Sequence, residues 1–173
     1  MKIILLGYMA SGKSSVGALL SKIIGYNFVD LDGFIEKKEG MSISELFNNK
    51  GEVYFRKIES MYLKELLSTP EKCVISLGGG TPCYGNNMDL INSCKEAVSF
   101  YLKTSINEIV NRLMNEKEER PLVAQIESKE SLMDFVGKHL FERNSFYLRS
   151  DYSIHTDKRT KQNIVEEIVF KLF

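Results

Sequence analysis

The sequence predicts an α/β fold: a doubly wound parallel sheet with helices packed on its faces. Three observations carry that expectation. Continuous apolar runs of four or five residues recur along the chain, as in strands covered on both faces. Apolar stripes at helical spacing lie between and after them. Strand alternates with helix, the order that builds layered α/β sheets.

In chain order, "IILL" (3–6) reads as a buried first strand. Val16, Leu19, Leu20, Ile23 and Ile24 form the first helical stripe, stopped by Gly25, a natural C-terminal cap. "YNFV" (26–29) is the second strand, and "SISE" (42–45) has capping-box form and opens a short helix. Phe55, Ile58, Tyr62 and Leu66 make the next stripe, followed by the strand "CVISL" (73–77). "VSFYL" (98–102) precedes a stripe of Ile106, Ile109, Val110 and Leu113. A less regular stripe follows at Leu132, Val136, Leu140 and Tyr147. "YSIH" (152–155) and a stripe from Ile164 through Val165, Ile168 and Val169 to Leu172 end the chain. Ligands of such sheets sit beyond the carboxyl ends of the strands.

A length of 173 residues suits one domain, able to bury about two-thirds of its unfolded surface. The 23 basic and 23 acidic side chains cancel, so nothing global argues for a nucleic-acid or anionic-membrane partner. In "MKIILLGYMA", glycine and charge follow the apolar run too soon for a signal peptide or a spanning helix. Cys73, Cys83 and Cys94 are odd in number and form no CxxC pair, which suits reduced thiols in the cytoplasm. His139 and His155 lie far apart without ligand spacing, and neither is expected to bind metal or act in catalysis.

The chemistry begins at Gly7-x-x-x-x-Gly12-Lys13-Ser14, the phosphate-binding loop pattern, set between the first strand and the first helix. Its glycines let backbone N–H groups turn inward as a nest for phosphate oxygens, and the helix N-terminus adds partial positive charge. Lys13 would reach the β/γ-phosphates and Ser14 would give Mg²⁺ a hard oxygen. The chain therefore binds a nucleoside triphosphate. The second strand ends "VDLDG", with Asp30 and Asp32 two apart and so on one side of an extended segment. Beside a Mg-nucleotide, one carboxylate can hold the metal's water shell while the other orients an acceptor hydroxyl or takes its proton. Asp32 would alternatively do no more than cap a helix starting near Phe34.

"DLDG" also fits the D-x-x-G of nucleotide switches, but such a switch needs an N-K-x-D guanine reader, and "NNKGE" (48–52) does not supply one. Nor would a switch use "YFRKIES" or "SLGGGTP". Arg56 and Glu59, three apart on a helix, would as an exposed pair be worth well under about 1 kcal/mol. Gly78-Gly79-Gly80 after a central strand permits close approach of backbone to a ligand.

Taken together, the phosphate loop, "DLD", "FRxxE" (Phe55, Arg56, Glu59), "GGGTP", "RPL" (120–122) and "ERNSFY" (142–147) resemble the shikimate kinase family over essentially the whole length. That resemblance implies ATP-dependent phosphorylation of the 3-hydroxyl of shikimate, a step towards chorismate and the aromatic amino acids. It implies a three-layer α/β/α domain of nucleoside-monophosphate-kinase type over residues 1–173, with a five-stranded parallel sheet. Within it would lie the phosphate loop at 7–15, a substrate-binding region at about 32–62 and a lid at about 115–130. By the same resemblance Ala10, Ser11, Gly12, Lys13, Ser14 and Ser15 hold ATP, joined by Arg112 and Arg159 at the adenine side and by Arg120 from the lid. Ser14 and Asp30 serve Mg²⁺, and Lys13, Asp32 and Arg120 act in catalysis. Asp32, Arg56, Arg143 and the backbone of Gly78, Gly79 and Gly80 bind shikimate, with Glu59 holding the arginine. A monomer is expected.

The residue chemistry agrees. A small carboxylate calls for planar, bidentate donors, hence arginine. Phosphoryl transfer asks for positioning and neutralised charge, and a lid keeps water from accepting the phosphoryl group. The charge-dense stretch 115–130 also reads as a solvated loop. One departure is Ala10, where the family usually has glycine; its Cβ disfavours φ > 0 by about 1 kcal/mol. The gap from Arg112 to Arg120 is also a residue longer than the family's usual one. The nearest enzyme rival is another small-molecule kinase on the same scaffold, for example a gluconate kinase.

Overall fold

The computed structural model describes residues 1–115, 126 and 128–173. The predicted lid at about 115–130, with Arg120 and "RPL", falls largely outside the described residues. The strands are β1 (Lys2–Leu6), β2 (Asn27–Asp30), β3 (Cys73–Ser76), β4 (Ala97–Lys103) and β5 (Tyr152–His155). All pair in parallel, in the order β2-β3-β1-β4-β5. Among the described residues the helices are α1 (Lys13–Ile24), α2 (Leu31–Glu39), α3 (Ile43–Ser68), α4 (Asn87–Ser93), α5 (Ile106–Asn115), α6 (Lys129–Tyr147) and α7 (Lys161–Leu172). The predicted three-layer architecture is the observed one.

Alternation along the strands sorts the core into two halves. Ile3 and Leu5 join Val74, Phe100, Leu102 and Ile154 against Val16 and Leu20 of α1 and Ile164, Val165 and Ile168 of α7. Ile4 and Leu6 join Ile75 and Tyr101 against α2 to α6 on the other face. A sheet covered on both sides needs apolar residues at every strand position, which is why the runs are unbroken.

Local signals set most boundaries. Gly25 ends α1 at φ 71°, and Ser42 opens α3 with a complete capping box to Glu45. The short helix expected there runs on into the next stripe, with a break only at Gly51 (φ 80°). Gly17 lets α1 lie close on the sheet: a Cβ there would meet the Phe28 ring at 2.5 Å. The stripe of α5 is buried at Ile109, Val110 and Leu113, whereas Ile106 at its start is exposed.

One sequence expectation is corrected. α2 begins at Leu31, directly after β2, and its cap is Asp30, whose Oδ1 accepts from the Gly33 N–H at 3.4 Å. Asp32 therefore lies in the first helical turn. It is neither the cap nor part of an extended segment with Asp30.

Register decides what meets what. Asp30 pairs with Ser76, and Ser76 pairs with Leu5. The chain leaving β1, β2 and β3 thus emerges at one edge: the phosphate loop, the Asp30–Asp32 turn and Gly78–Gly80 side by side.

Candidate active site

The loop after β1 is held open by backbone conformation. Gly7 and Gly12 take φ of 145° and 94°, and a Cβ on Gly7 would stand 2.8 Å from the Leu102 carbonyl oxygen. Ala10 also lies in the left-handed region, at φ 58°. Here the loop keeps a glycine-type conformation without the glycine, at a cost of about 1 kcal/mol. Arg112 ties this turn down, its Nη1 donating to the Ala10 carbonyl at 3.0 Å while Nε pairs with Glu108. Relief of strain by Ala10→Gly should be offset by the freer unfolded chain, leaving stability within about 0.5 kcal/mol. Ala10→Val, branched at Cβ, should destabilise by about 1–2 kcal/mol and raise the KM for ATP. Thermal melts and steady-state kinetics on the two variants check this contrast.

Lys13, 9% exposed, donates from Nζ to the carbonyls of Gly7 (3.0 Å) and Tyr8 (2.9 Å). Ser14 Oγ donates to Asp30 Oδ2 at 2.7 Å and lies 3.4 Å from Ser76 Oγ. A hydroxyl and a carboxylate at that separation suit Mg²⁺, which keeps much of its water and takes few protein oxygens. Ser11, by contrast, has a buried hydroxyl without a partner inside the loop. These residues line a cleft of about 500 Å³, together with Asp32, Gly78, Gly79, Arg112, Arg159, Lys161 and Ile164. Arg159 is fixed there by the carbonyls of His155 and Asn163 and by Glu167.

Asp32 closes one end of this cleft. Burial, reinforced by the carboxylates of Asp30 and Glu59, pushes its pKa up to about 6 against the pull of Lys13. A carboxylate so placed stays largely ionised at neutral pH yet is a far better proton acceptor than an ordinary aspartate.

The three glycines explain themselves one at a time. None of them has positive φ, and close approach is the reason for Gly78 and Gly80, where a Cβ would come within 3.0 Å of a neighbour. A Cβ on Gly78 would meet Asp32 Oδ1 at 2.9 Å and Thr81 Oγ1 at 3.0 Å. One on Gly79 would face the Met9 N–H nitrogen at 3.4 Å and Arg143 Nη1 at 3.8 Å. One on Gly80 would strike Arg56 Nη2 at 2.9 Å. The segment is the hub on which Asp32, the phosphate loop and both arginines converge.

Arg56, Arg143 and Gly80 do not line the nucleotide cleft; Arg143 stands against Gly79 and Arg56 against Gly80. Both guanidiniums act on Cys83, opposing the burial that pushes its thiol up to about 11. Arg56 Nη1 donates to Glu59 Oε2 at 2.9 Å, and Glu59 is only 1% exposed. Its other oxygen accepts from Thr81 Oγ1 at 2.6 Å. The pair is thus not exposed as spacing alone would make it: Glu59 is buried with both oxygens bonded, while Arg56 remains 19% exposed. The Arg56 Cζ also lies 3.9 Å from the Tyr84 ring centroid and 5.2 Å from that of Phe55. Arg143, on α6, sits 5.6 Å over the Tyr8 ring, and Tyr147 Oη donates to the Gly79 carbonyl at 2.5 Å.

Sequence reading missed Tyr8, Thr81, Tyr84 and Lys161. Tyr8 stood in a free position of the loop pattern, and its hydroxyl lies 3.0 Å from His139 Nδ1, which makes His139 a structural neighbour of the loop. Lys161 carried no signal beyond its place at the start of the last stripe. Cys73, Cys83 and Cys94 are free thiols. Among the described residues no helix is long and apolar enough to cross a membrane.

Comparisons with known proteins converge on one family. The family model described as shikimate kinase matches residues 9–173. The shikimate kinase of Flavobacterium johnsoniae is 45% identical over 168 residues, 97% of this chain and 96% of that protein. The crystal structure of shikimate kinase from Bacteroides thetaiotaomicron superposes with a TM-score of 0.88 at 32% identity, over 99% of this chain and 96% of that one. Shikimate kinase from Acinetobacter baumannii, solved in complex with shikimate, gives 0.85 at 30% identity, over 99% and 92%.

Proposed function

This chain belongs to the shikimate kinase family, and we propose that it transfers the γ-phosphoryl group of ATP to the 3-hydroxyl of shikimate, giving shikimate 3-phosphate and ADP. One observation carries the reading: a single glycine segment adjoins both a phosphate cleft lined by Asp32 and a pair of arginines suited to an acid.

In this reading residues 10–15 and the Lys13 ammonium receive the phosphates. Ser14 and Asp30 would hold Mg²⁺, which when bound neutralises charge on the phosphates. Arg112 and Arg159, with Lys161, flank the nucleoside. Arg56 and Arg143 clamp the carboxylate of shikimate, so that the ring lies along Gly78–Gly80 and its 3-hydroxyl faces Asp32. Asp32 orients that hydroxyl and accepts its proton as the oxygen bonds to phosphorus. Glu59 keeps Arg56 aimed by bonding it at one edge. From the sequence resemblance, the segment at about 115–130 closes as a lid and brings Arg120 to the phosphates. The unit is a single kinase domain, monomeric and cytoplasmic, with its substrate-binding region at about 32–62.

A coupled assay for ADP release tests the proposal. Turnover should require both ATP and shikimate. Equal turnover with gluconate in place of shikimate would favour a different alcohol kinase, and GTP hydrolysis without an acceptor would favour a nucleotide switch.

A further inference from the structure

Arg56 is the best-supported half of the acid clamp, and its surroundings hold a residue that the reaction as described does not use. The guanidinium has two edges and two faces. Nη1 donates to Glu59 at 2.9 Å and Nε to Glu52 at 3.4 Å. The Nη1–Nη2 end of the group stands against Gly80, where a Cβ would lie 2.9 Å from Nη2 and 3.0 Å from Nη1. One face is covered by Tyr84, with 3.9 Å from Cζ to the ring centroid. That is much closer than Phe55 at 5.2 Å or Phe47 at 5.8 Å. A flexible arginine in this setting loses its remaining freedom to the ring, since stacking fixes the plane that its hydrogen bonds leave free to tilt.

The placement of Tyr84 is itself built. It follows the short 3₁₀ turn Thr81–Cys83, whose first residue donates its hydroxyl to Glu59, the same carboxylate that holds Arg56. On the other side of Tyr84, Asn87 donates to the Thr81 carbonyl and accepts from Ser60 of α3. The loop is thus pinned to α3 on both sides of the ring. Glu59 sets the guanidinium and the ring against each other from one point.

We propose that Tyr84 is a positioning residue for the substrate's carboxylate: its ring face sets the plane of the Arg56 guanidinium and so the direction of the bidentate grip. The inference rests on the reading of Arg56 as a carboxylate clamp. Tyr84 touches neither the phosphates nor Asp32, so its effect should fall on one substrate alone.

The test is steady-state kinetics of Tyr84→Leu and Tyr84→Phe beside Arg56→Lys. Tyr84→Leu should raise the KM for shikimate about three- to tenfold, with kcat and the KM for ATP within about twofold. Tyr84→Phe keeps the ring and should restore near-normal affinity. An unmoved KM for shikimate in Tyr84→Leu, an equal rise for ATP, or a phenylalanine variant as weak as leucine would each overturn the proposal. If Arg56→Lys raises that KM and Tyr84→Leu does not, the inference fails while the clamp stands; if neither does, the clamp itself is wrong. Should Tyr84→Leu not fold, Tyr84→Trp serves instead, because the chain has no tryptophan and the new indole would report alone. Its emission should change saturably with shikimate, and an emission indifferent to saturating shikimate would overturn the proposal.

Discussion

Asp32→Asn should lower kcat by about two to four orders of magnitude while the affinity for ATP stays within about twofold. The substitution keeps the shape and removes the charge, so it separates proton acceptance from packing. Asp32 stands at the end of the nucleotide cleft beside Gly78, and its carboxyl is raised to about 6 chiefly by burial. The unsubstituted enzyme should accordingly lose kcat/KM for shikimate as pH falls through about 6, with a slope of one proton. A variant with near-normal turnover would reduce Asp32 to a helix-turn residue.

The same substitution should stabilise the fold, and the sign follows from the shift. Asp32 holds its proton more tightly folded than unfolded, its pKa being raised from 3.8 to about 6. Its contribution to stability is therefore complete below pH about 4 and is lost as pH rises through about 6, a loss of about 3 kcal/mol above pH 7. An asparagine side chain carries no charge to bury, so Asp32→Asn should melt higher than the parent at pH 8, with the two converging near pH 4. A melting difference independent of pH would contradict the burial argument. Activity and stability would then pull on this residue in opposite directions, as they do where a charge is kept in a poor dielectric for its chemistry.

Fold and site differed in how far the sequence disclosed them, and the reason is range. The five strands and the stop at Gly25 were legible because each depends on its own neighbours: burial on both faces, or one left-handed residue. The phosphate loop was legible because its chemistry is contained in eight residues. Three features depended on partners far along the chain. Glu59 reads as an exposed partner of Arg56 until Thr81, 22 residues on, reaches back to bury it. The glycines after β3 read as room for a ligand, yet the space at Gly78 is filled by Asp32 of α2 and that at Gly80 by Arg56 of α3. Asp32 reads as a possible cap of a helix near Phe34, yet the helix begins at Leu31 and Asp30 takes that role. Tyr8 and His139 meet across 131 residues, with no pattern to announce it.

Arg56→Lys should raise the KM for shikimate about ten- to a hundredfold and leave the KM for ATP within about twofold. Lysine keeps the charge, so a purely electrostatic attraction would lose little. What it lacks is the planar fork: arginine can give one edge to Glu59 and still present paired donors to a carboxylate, whereas an ammonium has one point of charge to divide. Glu59 lies buried within reach, and a lysine should settle on it in preference to a solvated ligand, because leaving that carboxylate unpaired is the costlier outcome. The substrate then loses a charge-assisted pair worth about 1.5–3 kcal/mol, which is the predicted range of KM. Methyl shikimate isolates the effect, since esterification removes the anion that the fork would grip. The parent enzyme should discriminate strongly against the ester, and Arg56→Lys should discriminate much less, each change weakening the consequence of the other. Undiminished discrimination in the variant would mean that the acid is held elsewhere, and the role of Arg56 would reduce to pairing with Glu59.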